Sequence, residues 1–176
     1  MNYLIITLIG PDRPGLVESV AQTVATHHGN WTESRMAHLA GQFAGILQVS
    51  VPTEHMDALV RALHNLESDS LKLIVEESDA GKFDNQPAQQ TQLHVSGSDR
   101  TGIVSEITRV LASRNVNVEA IETECVNAPM SGEKIFHANA TLQLPTDLSL
   151  GELRDCLEQI ASDLVVEISP TGTENS

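Results

Sequence analysis

Residues 3–9, Tyr-Leu-Ile-Ile-Thr-Leu-Ile, are apolar at nearly every position. A run this short, apolar on both sides, predicts a central strand covered on both faces. Val17, Val20, Ala21, Val24 and Ala25 then recur at helical spacing, Pro14 suits a first helical turn, and Gly29-Asn30 ends the helix. Residues 31–39 and 42–51 predict a hairpin around Ala40-Gly41, with Phe43, Gly45, Leu47, Val49 and Val51 on one face. Pro52 stops that strand. Met56, Leu59, Val60, Leu63 and Leu66 mark a second amphipathic helix, and residues 71–76 a last strand. The predicted order is βαββαβ.

The same order returns further along. A strand over 92–97 precedes a helix bearing Ile103, Ile107, Val110 and Leu111, then strands over 117–126 and 134–144. In the last of these, Phe136, Ala138, Ala140, Leu142 and Leu144 alternate with His137, Asn139, Thr141 and Gln143. Ser149 and Glu152 have capping-box spacing ahead of Leu150, Leu153, Leu157 and Ile160, and residues 164–168 close the second sheet. The fold class is therefore α+β: two tandem ferredoxin-like units with antiparallel sheets and two helices on one face. The expected domains are 1–78 and 92–169, joined by a linker over 79–91 rich in Gln, Asp and Ala and followed by a disordered tail over 170–176. About six extra residues near Asn127–Glu133 read as a mobile loop.

The open face of each sheet differs in character. In the second unit His94, Ser96, His137, Asn139 and Thr141 make it polar. In the first, Ala44 and Ile46 make both faces apolar, which predicts a cover by the other unit, another subunit or a protein partner.

The repeat is sharpest at the first turn. Gly10-Pro11-Asp12-Arg13-Pro14-Gly15-Leu16-Val17 returns as Gly97-Ser98-Asp99-Arg100-Thr101-Gly102-Ile103-Val104, 87 residues later. Asp12 and Asp99 can cap the following helix, whose free N–H groups favour a carboxylate or phosphate. Gly15 and Gly102 let a ligand approach the backbone. Asn30 and Asn117 also lie 87 residues apart, each opening a second strand. A helix N-terminus, an aspartate and an asparagine together can read a zwitterion, the amides taking a carboxylate and the side-chain oxygens an ammonium. The same residues also serve as two ordinary turns, with Asp as N-cap, Arg as its ion-pair partner and Asn as helix terminator.

Charge narrows the function classes. The 176 residues carry a net charge of −14, with nine acidic against four basic residues in 1–78 and twelve against five in 92–169. Direct binding to nucleic acid or an anionic membrane needs clustered Lys and Arg, and this chain has no such cluster. Cys125 and Cys156 stand alone and suit a reduced, cytoplasmic setting, and no run is long enough to span a membrane. Leu16-Val17 stands where a phosphate-binding loop needs Lys-Ser/Thr. No catalytic elbow or metal-ligand spacing is present; the scattered histidines, with only His27-His28 adjacent, predict no metal or cofactor, and no enzyme. Glu122 and Glu124 read as a solvated edge, and Trp31 as a packing or interface residue.

On Asp12-Arg13-Pro14-Gly15-Leu16-Val17 and Asp99-Arg100-Thr101-Gly102-Ile103-Val104, each between strand and helix, the chain resembles the ACT domain family. The resemblance covers both units. It implies amino-acid sensing at contacts between ACT domains, near the first turn and the start of the second strand. That carries over to Asp12, Arg13, Pro14, Gly15, Leu16 and Asn30, and to Asp99, Arg100, Gly102, Ile103 and Asn117. Thr101 departs from Pro14, and Val116 from Gly29, so the first copy is the better site. Two such domains alone resemble the glycine cleavage system transcriptional repressor group. That resemblance implies glycine or another small amino acid as allosteric effector, a LysR-type activator as protein partner, no direct DNA contact, and a homodimer as one assembly. Two alternatives stand beside it: an interaction module without ligand, and a regulatory partner of an amino-acid or one-carbon metabolic enzyme. Similar modules precede formyltetrahydrofolate deformylases and phosphoserine phosphatases, but residues 170–176 leave no room for a catalytic domain here.

Overall fold

The computed structural model describes residues 1–68, 70–78, 89–128, 132–160 and 163–171. It divides into two compact units, Met1–Asp84 and Asn85–Ser176. Unit 1 contains β1 (Asn2–Pro11), α1 (Leu16–Thr26), β2 (Asn30–Leu39), β3 (Gln42–Val51), α2 (Thr53–His64) and β4 (Lys72–Ser78). Unit 2 repeats this with β5 (Gln89–Ser98), α3 (Ile103–Ser113), β6 (Asn117–Asn127), β7 (Lys134–Leu144), α4 (Leu150–Ile160) and β8 (Leu164–Pro170). The sheets run β2-β3-β1-β4 and β6-β7-β5-β8, antiparallel throughout. This is the predicted ferredoxin-like βαββαβ arrangement, twice over.

Each core lies between one sheet face and its two helices. In unit 1, Leu4, Ile6 and Leu8 of β1 and Leu47, Val49 and Val51 of β3 meet Leu16, Val20 and Val24 of α1 and Leu59 and Leu63 of α2. In unit 2, Leu93 and Val95 of β5 and the alternating apolar row of β7 meet Ile103, Ile107, Val110 and Leu111 of α3 and Leu153 and Leu157 of α4. Strand alternation puts these residues on one face because successive side chains point to opposite sides. The Ala40-Gly41 hairpin forms as expected, with positive φ at both residues (50° and 78°), the backbone twist that a two-residue hairpin needs. The capping box also forms. The Ser149 N–H donates to Glu152 Oε2 (3.0 Å), and the Glu152 N–H to Ser149 Oγ (3.3 Å).

Several boundaries differ from the expectations. Helix α1 starts at Leu16, so Pro14 lies before it; the chain reverses through Gly15, which leaves Val17 half-exposed on the outer side. Strand β5 starts at Gln89 instead of 92. Thr91 is fully buried opposite Leu142 and Pro170, and the Thr171 N–H donates to Gln90 O (3.1 Å), so 89–91 and Pro170 belong to the sheet. Of the expected linker and tail, residues 79–88 and 172–176 lie outside the described residues, as do 129–131 of the expected loop. That loop's base is closed by the Ala128 N–H on Glu133 O (2.7 Å).

The open faces contrast as expected. On unit 1, Ile9, Ile46 and Ile74 are 47%, 47% and 59% exposed around Thr7 and Ala44. On unit 2 the equivalent rows carry Gln92, His94, Ser96, Asn139 and Thr141, with Glu122 and Glu124 exposed on β6. His94 Nδ1 lies 2.6 Å from Asn139 Oδ1, and the Gln92 amide donates to Thr141 Oγ1 (3.1 Å).

Candidate functional site

Both repeated turns have the same backbone. Gly15 (φ 87°) and Gly102 (φ 96°) are left-handed and precede the first residue of α1 and α3, and neither helix has a side-chain cap. A left-handed residue strains any side chain with a Cβ, which is why glycine stands at both. The Gly15 carbonyl accepts the Ser19 N–H (2.9 Å), and the Gly102 carbonyl the Glu106 N–H (3.0 Å). The amides of the first helical turn stay without intrahelical partners and carry the positive end of the helix dipole.

The aspartates do not cap these helices. The Asp12 N–H donates to Gly41 O (3.0 Å) and the Asp99 N–H to Lys134 O (2.9 Å), so each residue continues the pairing of its central strand with the neighbouring hairpin. That geometry carries the carboxylates away from the helix start. Asp12 Oδ2 lies 3.6 Å from His38 Nε2 on β2. Asp99 lies beside the Cys125 thiol, which burial and then the aspartate push up from its ordinary pKa. His38 and Cys125 are themselves 87 residues apart.

The arginines do not pair with these aspartates either, and here the two copies part. Arg100 Nη1 and Nη2 donate to Glu106 Oε1 (3.0 Å) and Oε2 (2.7 Å), a bidentate pair, while Nε donates to Asp163 Oδ2 (2.8 Å). The guanidinium hydrogen bonds hold both carboxyl groups below their usual range and bind the Arg100 proton more firmly. Position 106 corresponds to Ser19, whose hydroxyl turns back onto Gly15 O (2.8 Å). Position 163 corresponds to Ser70 across the later offset of 93. Arg13 therefore lacks both carboxylates, and among the described residues it forms no ion pair.

An open depression of about 310 Å³ lies at the first turn, lined by Arg13, Pro14, Gly15, Leu16, Glu18, Ser19, Leu66 and Leu71. Such a volume falls at the small end of ligand sites. It brings together Arg13, Pro14, Gly15 and Leu16 of the expected set and adds Glu18. The Glu18 Oε2 lies 3.9 Å from where a Gly15 Cβ would stand. Glu18 was legible only as an acidic residue in a helix's first turn. Glu106, six residues from Arg100, carried that same signal, while Asp163 carried none, since it reaches Arg100 across 63 residues of sequence.

Asn30 and Asn117 stand elsewhere. Asn30 pairs with Ser50, whereas the turn leaves the sheet where Pro11 pairs with Gln42. Eight residues of β3 separate these points, about 25 Å at the rise of an extended strand. Asn117 pairs with Gln143 at the corresponding end of unit 2. A clamp using Asp12 and Asn30 of the same sheet does not exist, because α1 returns along the sheet before β2 begins.

A larger depression of about 500 Å³ in unit 2 is lined by Gln92, His94, Asn139, Arg154, Glu158, Glu167 and neighbouring residues. It has no equivalent at the repeated turns, and His94 and Gln92 are engaged with Asn139 and Thr141. Among the described residues, no group of three or more His, Cys, Asp or Glu is placed to hold a metal ion, and no helix is long and apolar enough to cross a membrane.

Comparison with known proteins agrees with this geometry. ACT domain models match residues 2–76 and 85–166. The glycine cleavage system transcriptional repressor of Escherichia coli (strain K12) is 23% identical over 176 residues, covering 99% of this chain and 90% of that protein. An unknown protein from Galdieria sulphuraria has a crystal structure that aligns with a TM-score of 0.80 at 26% identity, over 97% of this chain and 98% of that one. A second crystal structure, provisionally named a glycine cleavage system transcriptional repressor, aligns with a TM-score of 0.68 at 19% identity over 96% of each chain. With both repeats matched from strand to strand, the chain is a tandem pair of ACT domains and belongs to the ACT-domain family.

Proposed function

We propose that this regulatory ACT-domain protein, a relative of the glycine cleavage system repressor, senses a small amino acid at the first turn of unit 1 and acts through a protein partner. The observation that carries the reading is the contrast between the two arginines. Among the described residues Arg13 forms no ion pair, and it lines an open depression, while Arg100 is held by two carboxylates. In that depression the Arg13 guanidinium and the free amides of α1 receive the ligand's carboxylate, and Glu18 receives its ammonium. Glycine is the first ligand to test, because the E. coli relative is named for the glycine cleavage system.

The output reading is a protein contact. A net charge of −14 without a basic cluster supports regulation without direct DNA binding. The partner we propose is a LysR-type activator, and the exposed isoleucines of the first sheet offer an apolar surface for it. The chain itself performs no catalysis in this reading.

Titration calorimetry and thermal shift with a panel of amino acids, glycine first, test the sensing step. A ligand that binds only the folded state stabilises it by about 2.7 kcal/mol at a hundred times its Kd. The expected result is saturable binding that weakens at least about tenfold in Arg13→Ala, given the strength of charge-assisted hydrogen bonds. No heat and no shift with any amino acid, with or without partner, would remove the sensing step.

A further inference from the structure

We infer that unit 2 carries its own internal ligand: Glu106 and Asp163 occupy Arg100 in place of an external carboxylate, so the second turn is closed and the chain takes effector at the first turn alone. This rests on the effector reading above and adds its stoichiometry and the residues that set it.

The two turns share the strand, the aspartate–hairpin contact, the left-handed glycine and the following helix. They differ where the guanidinium looks for acceptors. In unit 2, Glu106 extends from the first turn of α3 and meets Arg100 edge-on through two parallel hydrogen bonds of 3.0 and 2.7 Å. This is the fork geometry by which arginine recognises any carboxylate, including that of an amino acid. Asp163, just ahead of β8, takes the remaining Nε–H edge at 2.8 Å. The Glu106 Oε1 lies 4.0 Å from where a Gly102 Cβ would stand, ordinary van der Waals contact, so the left-handed backbone alone calls for glycine there. Arg100 is left one-third exposed with four of its five N–H donors taken by the two carboxylates.

An external carboxylate must displace one of these partners. That exchange gains nothing in charge, and it works against an effective concentration that an intramolecular group holds in the millimolar range or above. At the first turn Ser19 and Ser70 stand at these two positions, and among the described residues no carboxylate pairs with Arg13. Glu18 stays near Gly15 without pairing with Arg13, so one acidic group remains for an ammonium. A zwitterion then finds complementary charges at the first turn and a completed ion pair at the second.

Two measurements decide this. The first needs no effector. Phenylglyoxal modifies accessible guanidinium groups, and peptide mass spectrometry reads each arginine separately. Arg13 is expected to react at least about tenfold faster than Arg100 in the wild-type chain, and Glu106→Gln with Asp163→Asn to bring Arg100 up to the rate of Arg13. Equal rates in the wild type overturn the closure, and this comparison stands even if the double variant fails to fold. The second is glycine stoichiometry by calorimetry: one per chain in the wild type, none in Arg13→Ala, and two in the double variant. Two per chain in the wild type overturn the inference and keep the effector reading. No binding to the wild type or the double variant overturns the effector reading and the one-site stoichiometry, while the labelling rates still decide whether Arg100 is closed.

Discussion

Ser19 and Glu106 sit at the same place in two nearly superimposable turns, and this exchange separates an open guanidinium from a closed one. The repeated Gly, Asp and Arg were legible in the sequence because duplication preserved their spacing. Their partners were not. Local sequence put each Asp at a helix cap and each Arg beside its Asp, yet the backbone sends the Asp into the hairpin and brings Asp163 in from β8. Gly97 makes that approach possible. A Cβ at Gly97 would lie 2.7 Å from Asp163 O and 2.4 Å from Leu164 Cδ2, closer than real atoms come. We expect Gly97→Ala to destabilise the chain by about 1–3 kcal/mol, as overpacking of a tight site does. It is also expected to raise the phenylglyoxal reactivity of Arg100 by moving Asp163. Urea denaturation and labelling check both, and an unchanged midpoint would contradict the close approach.

Among the elements, strands and amphipathic helices followed from alternation and from helical spacing, down to the bounds of β3 and β7. The misses lie where pattern and packing diverge. Gln89-Gln90-Thr91 is polar and reads as linker, but pairing with Leu144, Gln143 and Leu142 of β7 claims it for β5, an inner strand. Pro14 is favourable early in a helix, but left-handed Gly15 delays α1 by two residues. The ion pairs that tie α3 to β8 also have a pH signature. Glu106 and Asp163 have folded-state pKa values below their unfolded ones, chiefly from hydrogen bonds to Arg100. Depressed carboxylates contribute stability above their unfolded pKa values and lose it as pH falls through the folded ones. The chain is therefore expected to lose stability as pH falls from about 5 through and below the ordinary carboxylate range. Urea midpoints of Glu106→Gln/Asp163→Asn are expected to fall less over that interval. Identical pH slopes would mean the pairs contribute nothing. Glu67 and Glu152 are depressed as well and supply the slope that remains.

At the scale of the molecule, the duplicated architecture was readable because the repeat fixes two equal units, and the contrast between their open faces was readable from alternation alone. The proposed stoichiometry of the site was not, since it depends on which acceptors each guanidinium reaches, Glu106 six residues away and Asp163 across 63. The two units keep one backbone and diverge in surface. The exposed isoleucines of unit 1 oppose water without supporting the core beneath them. Ile46→Glu together with Ile74→Glu is therefore expected to leave the unfolding free energy from urea denaturation within about 0.5 kcal/mol, as surface substitutions usually do. The same change is expected to lower association in sedimentation at high protein concentration and to weaken partner capture. Unaltered sedimentation and partner binding would show that this face works bare.

That one-sidedness limits how the chain can assemble. A particle with two adhesive faces adds copies at both ends and grows into a filament, whereas a particle with one is used up by its first contact. Gln92, His94, Asn139 and Thr141 make the second face polar at its centre, with Val165 exposed on its edge strand. If the proposed partner docks on the isoleucines of unit 1, a second copy using the same face would compete with it, and protein concentration would become an input to regulation alongside the proposed effector.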